Sequence, residues 1–257
     1  MTKRIRVQYQ FATAKHLSEL GKDLIEFRKE MLKKWSGPDL LVDLYLPRFG
    51  PQSVESRVEA ALTVPEFLRG AIEAERNGYD VIIVSCFSDP GMEAARELVS
   101  IPVIGSGICS MTLAVLMGSR FSIIAPGSGT VSTRGYENPK KYGFNQSLSS
   151  IRRVGMSVMD LAKDRALTLK KIIEVGKLAV SEDKADTLIL GCMSMAFHDV
   201  TEEISSGVGV PVINPITASL YLAECLVKSK ISHSDKAYPK LSPQNINQIY
   251  DSITKDP

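Results

Sequence analysis

The stretch Val81-Ile82-Ile83-Val84-Ser85-Cys86-Phe87-Ser88-Asp89-Pro90-Gly91 decides how the rest of this chain is read. Four β-branched apolar residues run without interruption into Ser85 and Cys86. A continuous apolar run of this kind reads as a strand covered on both faces, hence parallel to its neighbours and flanked by helices. Asp89-Pro90-Gly91 is a turn signal, and Met92–Leu98 has the composition of a helix opening. Cys86 therefore stands where strand gives way to loop, the edge at which open parallel sheets bind ligands.

The same pattern occurs twice. Asp80-Val81-Ile82-Ile83-Val84-Ser85-Cys86 aligns with Asp186-Thr187-Leu188-Ile189-Leu190-Gly191-Cys192, with aspartate and cysteine identical at the two ends. Downstream, Ile101-Pro102-Val103-Ile104-Gly105 and Ser110-Met111-Thr112-Leu113-Ala114 are answered by Val210-Pro211-Val212-Ile213-Asn214 and Ser219-Leu220-Tyr221-Leu222-Ala223. A weaker echo sets Arg4-Ile5-Arg6-Val7 beside Arg120-Phe121-Ser122-Ile123-Ile124. Internal repeats of this kind imply a repeated supersecondary unit. The expected class is α/β, with two pseudo-symmetric lobes, each a mainly parallel sheet flanked by helices. The lobes are placed at 1–117 and 118–257, with the C-terminal helix able to pack back on the first. Facing lobes would put Cys86 and Cys192 on opposite walls of one cleft, the expected active site.

Composition narrows the function classes. The 257 residues are 44% hydrophobic and 23% charged, with a formal net charge of +2. That balance, with no basic stripe interleaved with aromatics, argues against nucleic acid. No run approaches the ~18 apolar residues of a membrane span, and the basic start at Met1–Val7 is followed by polar residues and not a secretory core. The expected location is cytoplasmic, with Cys86, Cys109, Cys192 and Cys225 reduced. Their spacing matches no zinc template, so no metal is expected. Gly105-Ser106-Gly107 and Gly127-Ser128-Gly129-Thr130 are poor matches to phosphate-binding loops. Cys109 and Cys225 lie in apolar helical stretches and are expected in the core.

Periodicity supplies the remaining elements. Strands are expected at Ile5–Tyr9, Leu40–Leu46, Ile101–Ile104, Phe121–Ala125, Thr187–Leu190 and Val210–Ile213. Leu17, Leu20, Leu24, Phe27, Met31 and Trp35 predict one helix from an N-cap at Thr13 to Gly37-Pro38. A helical segment from about Ser56 to Asn77 is expected to be interrupted at Pro65. Helices are also expected around Ser110–Met117, over Asp160–Ser181 and Ile216–Val227, and from Ser242-Pro243. Pro126–Ser150 has no period and reads as a long surface excursion, a candidate flap.

Two cysteines at matching strand ends suggest a definite chemistry. A thiolate is a competent base and a thiol a competent acid, since the group titrates near 8.5 and is readily shifted. Each cysteine is expected just before a helix N-terminus, which favours negative charge on sulfur or substrate. One thiolate can take a proton from a stereocentre while the opposing thiol delivers one to the other face. This is two-base racemisation, and it requires no cofactor. His198, shortly after Cys192, leaves open a Cys–His nucleophile pair.

These residues resemble a known family. Cys86-Phe87-Ser88-Asp89-Pro90-Gly91, with Ala94-Ala95-Arg96-Glu97 and Ile101–Gly105 behind it, is similar to the first cysteine block of the hydantoin and allantoin racemases, within the aspartate/glutamate racemase superfamily. Gly191-Cys192-Met193-Ser194-Met195 is similar to their second block, usually Gly-Cys-Ala-Gly-Met. Ser53-Val54-Glu55-Ser56 and Glu59-Ala60-Ala61-Leu62 resemble the family's approach to its third strand. The likeness covers about Ile5–Val227 and is strongest over Ala61–Ile124.

The resemblance implies cofactor-independent chemistry on a small molecule of hydantoin, allantoin or amino-acid type. It further implies Cys86 and Cys192 as the acid–base pair, and a homo-oligomer. Substrate contacts fall at Thr13, Phe87, Ser88, Asp89, Met193 and Ser194, with Gln10 and Phe11 setting specificity. The chain departs from the family's Asn-Pro-Asn-Thr at Gln10-Phe11-Ala12-Thr13, from its Thr-Thr pair at Ala125-Pro126, and from its acidic residue at Ile108. Alternatives are a cysteine-nucleophile cis–trans isomerase resembling maleate isomerase, a decarboxylase, or a small-molecule sensor on the same scaffold.

Overall fold

The computed structural model describes residues 4–17 and 21–254. Contacts divide the chain into two compact units: one runs to Gly105 and resumes at Ser219, and the other is Ser106–Ala218.

The first unit is built from β1 (Ile5–Phe11), α1 (Gly21–Ser36), β2 (Leu40–Tyr45), α2 (Arg57–Arg76), β3 (Val81–Ser85), α3 (Met92–Leu98) and β4 (Val103–Gly105). Its four strands are all parallel, in the order β2-β1-β3-β4. Every residue of β3 is buried, as the uninterrupted apolar run requires. Val81, Ile82, Ile83 and Val84 are each fully excluded from solvent, and each contributes about 1.5–3 kcal/mol.

The second unit comprises α4 (Ser106–Met117), β5 (Phe121–Ala125), α5 (Glu137–Lys141), β6 (Leu148–Arg153), α6 (Val158–Leu161), α7 (Arg165–Ser181), β7 (Thr187–Leu190), α8 (Met193–Ala196), α9 (Thr201–Val208) and β8 (Val212–Ile213). α10 (Pro215–Lys228) crosses the division, and α11 (Pro243–Thr254) belongs to the first unit. The second sheet has the order β6-β5-β7-β8, again all parallel, so the two units share one topology. The units differ from the expected 1–117 and 118–257 in two places: α4, which packs on β5, β7 and β8, falls in the second unit, and Ser219–Pro257 falls in the first. α11 lies on α2, where Tyr250 donates to Glu73 and Arg76 to Asn247.

Several local expectations are corrected. No helix starts at Thr13: a 3₁₀ turn covers Lys15–Leu17, Leu20 lies outside the described residues, and α1 begins at Gly21. Its buried face carries Ile25, Arg28, Leu32 and Ser36, while Leu17 is 61% and Phe27 40% exposed. α2 passes unbroken through Pro65. A reciprocal capping box between Ser56 and Glu59 fixes its start, and the buried run from Glu66 to Ala74 anchors its second half. The single helix over Asp160–Ser181 is two, because Asp164 caps α7 by accepting the Leu167 N–H. The Pro126–Ser150 excursion contains α5 and leads into β6, an edge strand whose Leu-Ser-Ser-Ile-Arg-Arg composition gives little apolar signal. Cys109 is buried, but Cys225 is exposed, off the α10 face that buries Ile216, Leu220 and Ala223.

Candidate active site

Cys86 leaves β3 in a tight turn. Its N–H donates to the Val84 carbonyl at 3.0 Å, and its own carbonyl accepts the Asp89 N–H at 3.0 Å. Asp89 adopts a left-handed backbone (φ 47°), which aspartate tolerates better than most residues. The Asp89 carboxylate is buried over Gly105 at the end of β4, and a Cβ on Gly105 would collide with it. Glycine is therefore needed there for close approach, not for backbone freedom. Cys86 is half-buried, and its Sγ lies 3.3 Å from the Ser88 hydroxyl. Phe87 and Ser88 are half-buried beside it. α3 begins at Met92, as expected, behind the left-handed Gly91, so the Asp89-Pro90-Gly91 turn separates Cys86 from its N-terminus.

Cys192 is the N-cap of α8, a helix of only 4 residues, and is 92% buried with Met193 and Ser194. Gly191 before it lies against β5: its N–H donates to the Ile124 carbonyl at 2.8 Å. A Cβ on Gly191 would meet that oxygen at 2.9 Å and an Ile123 methyl at 2.7 Å. Asn214, after β8, donates to the Ala196 carbonyl at 3.1 Å and accepts the Ile216 N–H at 2.8 Å. It thus ties the end of α8 to the start of α10. His198 is held elsewhere, with Nε2 2.6 Å from the Leu161 carbonyl.

Sheet register relates the two cysteines. Ile82 pairs with Val103 and Leu188 with Val212; Tyr9 pairs with Ile83 and Ile123 with Ile189. On this correspondence Ser85 matches Gly191, Cys86 matches Cys192, and Tyr9 matches Ile123. The serines at Ser88 and Ser194 also correspond.

The other candidates divide. Phe11 pairs with Ser85 at the end of β1, one residue from Cys86. Gln10 is buried on the opposite face, its amide donating to Gln8 at 2.7 Å beneath Gly70 of α2. Alternation along β1 forces this separation. Thr13 is half-buried in the loop after β1. Ala125 ends β5, and its carbonyl accepts the Val154 N–H; Pro126 follows, half-buried.

Two further buried polar groups of the first unit were passed over by sequence reasoning, one on β1 beside β3 and one on α1. The Tyr9 phenol is fully buried and shares a hydrogen bond with the Ser85 hydroxyl. Burial raises its pKa well above the ordinary tyrosine range; the Ser85 bond and Arg28 act against the rise, and Cys86 adds to it. Tyr9 is thus a neutral hydroxyl at working pH. Arg28 of α1 is 95% buried, its guanidinium 5.2 Å from the Phe11 ring centre. The alternation of Val7, Tyr9 and Phe11 along one face of β1 was the available signal for Tyr9; a core-facing arginine has none.

Among the described residues no helix is long and apolar enough to cross a membrane, and no cluster of three or more His, Cys, Asp or Glu could hold a metal.

Comparison with known proteins identifies the architecture. Residues 23–223 match the model of the Asp/Glu/Hydantoin racemase family. The chain is 32% identical over 181 residues to the hydantoin racemase of Pseudomonas sp. (strain NS671), covering 70% of this chain and 72% of that one. It is 30% identical over 200 residues to the hydantoin racemase of Rhizobium meliloti, covering 76% and 81%. Among solved structures, an allantoin racemase from Klebsiella pneumoniae superposes with a TM-score of 0.81 at 26% identity, over 95% of this chain and 98% of that one. With family model, relatives and paired parallel sheets in agreement, this chain is an isomerase that belongs to the Asp/Glu/hydantoin racemase family.

Proposed function

We propose that the protein racemises a hydantoin-type substrate, a five-membered cyclic ureide such as a 5-substituted hydantoin or allantoin, with Cys86 and Cys192 as its two acid/bases and no cofactor. The observation that carries this reading is the register equivalence of the two cysteines at the ends of β3 and β7. In one direction the Cys86 thiolate takes the C5 proton and the Cys192 thiol returns a proton to the opposite face; the reverse direction exchanges the roles. The intermediate is an enolate delocalised into the adjacent carbonyl. A hydantoin C5–H is more acidic than the α-hydrogen of a free amino acid, so a thiolate suffices as base. Ser88, Asp89, Phe87, Met193 and Ser194 line the two cysteine turns, with Phe11, Thr13, Ala125 and Pro126 at the ends of the first strands of the units. Gln10 supports the sheet from its other face. The reading includes a cytoplasmic location, where thiols stay reduced, and assembly of several copies, checked by sedimentation.

The test replaces each cysteine by serine and follows racemisation together with solvent deuterium entering C5. Each single variant is expected to lose roughly 10²-fold or more in racemisation, the scale of one acid–base group. Racemisation at the wild-type rate in both variants would overturn the proposal. A trapped covalent adduct on one cysteine would point instead to nucleophilic chemistry.

A further inference from the structure

Cys86 and Ser88 belong to one closed turn. The Cys86 carbonyl accepts the Asp89 N–H at 3.0 Å, which makes Phe87 and Ser88 the two central residues and brings residue 88 back to residue 86. The far end of the turn is pinned, since the Asp89 carboxylate is buried against Gly105. Within it the Ser88 hydroxyl lies 3.3 Å from the Cys86 Sγ, and among the described residues that hydroxyl has no other partner. Serine and threonine hydroxyls commonly bond to nearby main chain. Ser110, Thr63 and Thr168 do so here, donating to the Ser106, Ala60 and Leu161 carbonyls. Ser88 directs its hydroxyl to sulfur instead. The second unit repeats the spacing as Cys192-Met193-Ser194, with Ser194 buried.

We propose that Ser88 is the positioning residue of Cys86: its hydroxyl holds the sulfur in both protonation states of the reaction and favours the thiolate. This rests on the two-cysteine reading above. A cysteine that serves one enantiomer as base and the other as acid alternates between thiolate and thiol. A neighbour that stays bonded throughout must both donate and accept, and a hydroxyl does both. It donates to the thiolate, and it accepts from the thiol once its own hydrogen turns away. The first bond involves a charge and is about twice as strong as a neutral one, whereas S–H is a weak donor. The balance therefore favours the charged sulfur, the form that takes a proton from carbon.

This role differs measurably from that of a residue that only touches substrate. A substrate contact does not exist in the free enzyme, so its loss raises KM and leaves the free thiol as it was. The bond to sulfur is made before substrate arrives. Its loss lowers the thiolate fraction of the free enzyme and falls on kcat, with KM little changed.

The experiment measures iodoacetamide alkylation of Cys86 at neutral pH in the substrate-free, full-length protein, resolved by peptide mass. It is set beside kcat and KM for racemisation of allantoin or 5-benzylhydantoin, whichever turns over faster. Ser88→Ala removes the hydroxyl and opens space beside the sulfur, so access alone would speed alkylation. Alkylation is expected instead to slow about 3- to 10-fold, while the exposed Cys225 reacts as before. kcat is expected to fall about tenfold, with KM within about twofold. Ser88→Thr keeps the hydroxyl and is expected to restore both alkylation and most of kcat. Unchanged or faster alkylation of Cys86 in Ser88→Ala, or a change confined to KM, would overturn this inference. So would a Ser88→Thr variant as impaired as Ser88→Ala, which would trace the loss to the shape of the turn. Wild-type racemisation in both cysteine variants would instead overturn the reading beneath it.

Discussion

The Asp186 carboxylate accepts the backbone N–H of Arg120 at 3.0 Å, while the Asp186 N–H donates to the Arg120 carbonyl at 2.9 Å. Asp80 and Arg6 make the same reciprocal pair in the first unit, at 2.8 and 2.9 Å. The repeated aspartate is thus a clasp between the starts of the first and third strands of each sheet. It also refines the repeat: Arg6, not Arg4, is the partner of Arg120.

Removing the clasp should cost stability without touching the chemistry. Asp186→Ala is expected to lower unfolding free energy by about 0.5–1.5 kcal/mol, as is Asp80→Ala, with kcat little changed. For Asp186, burial pushes the pKa up, but the Arg120 and Ser119 N–H groups outweigh it and hold the carboxyl below its ordinary value. Its contribution is present above the unfolded carboxylate range and is lost as pH falls through the depressed folded value. Denaturant titrations at neutral and acid pH check this; a variant equally destabilised at both would exclude the clasp.

Gly105 offers a sharper test of the Cys86 turn. Gly105→Ala drives a methyl into the Asp89 carboxylate, so either the turn carrying Cys86 moves or β4 does. A cost of about 1–3 kcal/mol is expected from overpacking, with activity falling at least tenfold. Full activity with a normal melting curve would show that Asp89 gives way without disturbing the thiol.

His233 makes the first unit acid-sensitive. Its Nε2 accepts the Val103 N–H of β4 at 2.7 Å, which only the unprotonated nitrogen can do. Burial, then the Arg96 and Lys240 cations, push the imidazole down to about 4 from an ordinary 6.5. Above 6.5 neither folded nor unfolded chain binds the proton, and the contribution is complete. Between 6.5 and 4 the unfolded chain takes a proton that the native state refuses, so stability falls as pH falls. Because the ring is only half-buried, a loss of about 1–2 kcal/mol is expected. His233→Gln keeps an acceptor without titrating and should flatten this slope; an unchanged slope would assign the acid sensitivity elsewhere.

Cys225 should be chemically available and functionally silent. It is exposed on α10, away from both strand-end cysteines in the chain. Cys225→Ser is expected to leave kcat and KM within about twofold and to change stability by less than about 0.5 kcal/mol. Loss of activity in this variant would bring a third thiol into the chemistry.

Much of the site was legible because it lies where a strand ends. The apolar runs before Cys86 and Cys192 admit only a doubly covered parallel strand, and β7 and β5 fall where the periodicity puts them. β6 escaped because an edge strand needs one covered face and tolerates serine and arginine. The side of β1 that each residue takes, with Gln10 toward α2 and Phe11 toward α1, depends on what packs against each face. So does the placing of Arg28 in the core: an arginine on an amphipathic helix reads as solvated until a buried ring is found beneath it.

The sequence by itself determined the α/β class, the internal repeat and the pair of equivalent cysteines, because strand burial and repeat register are written in the spacing of apolar residues. Only the tertiary structure decided what surrounds each thiol. Tyr9 of β1 and Ile123 of β5 flank the cysteine strands β3 and β7 at equivalent places, and lateral pairing of segments distant in the chain alone brings them there.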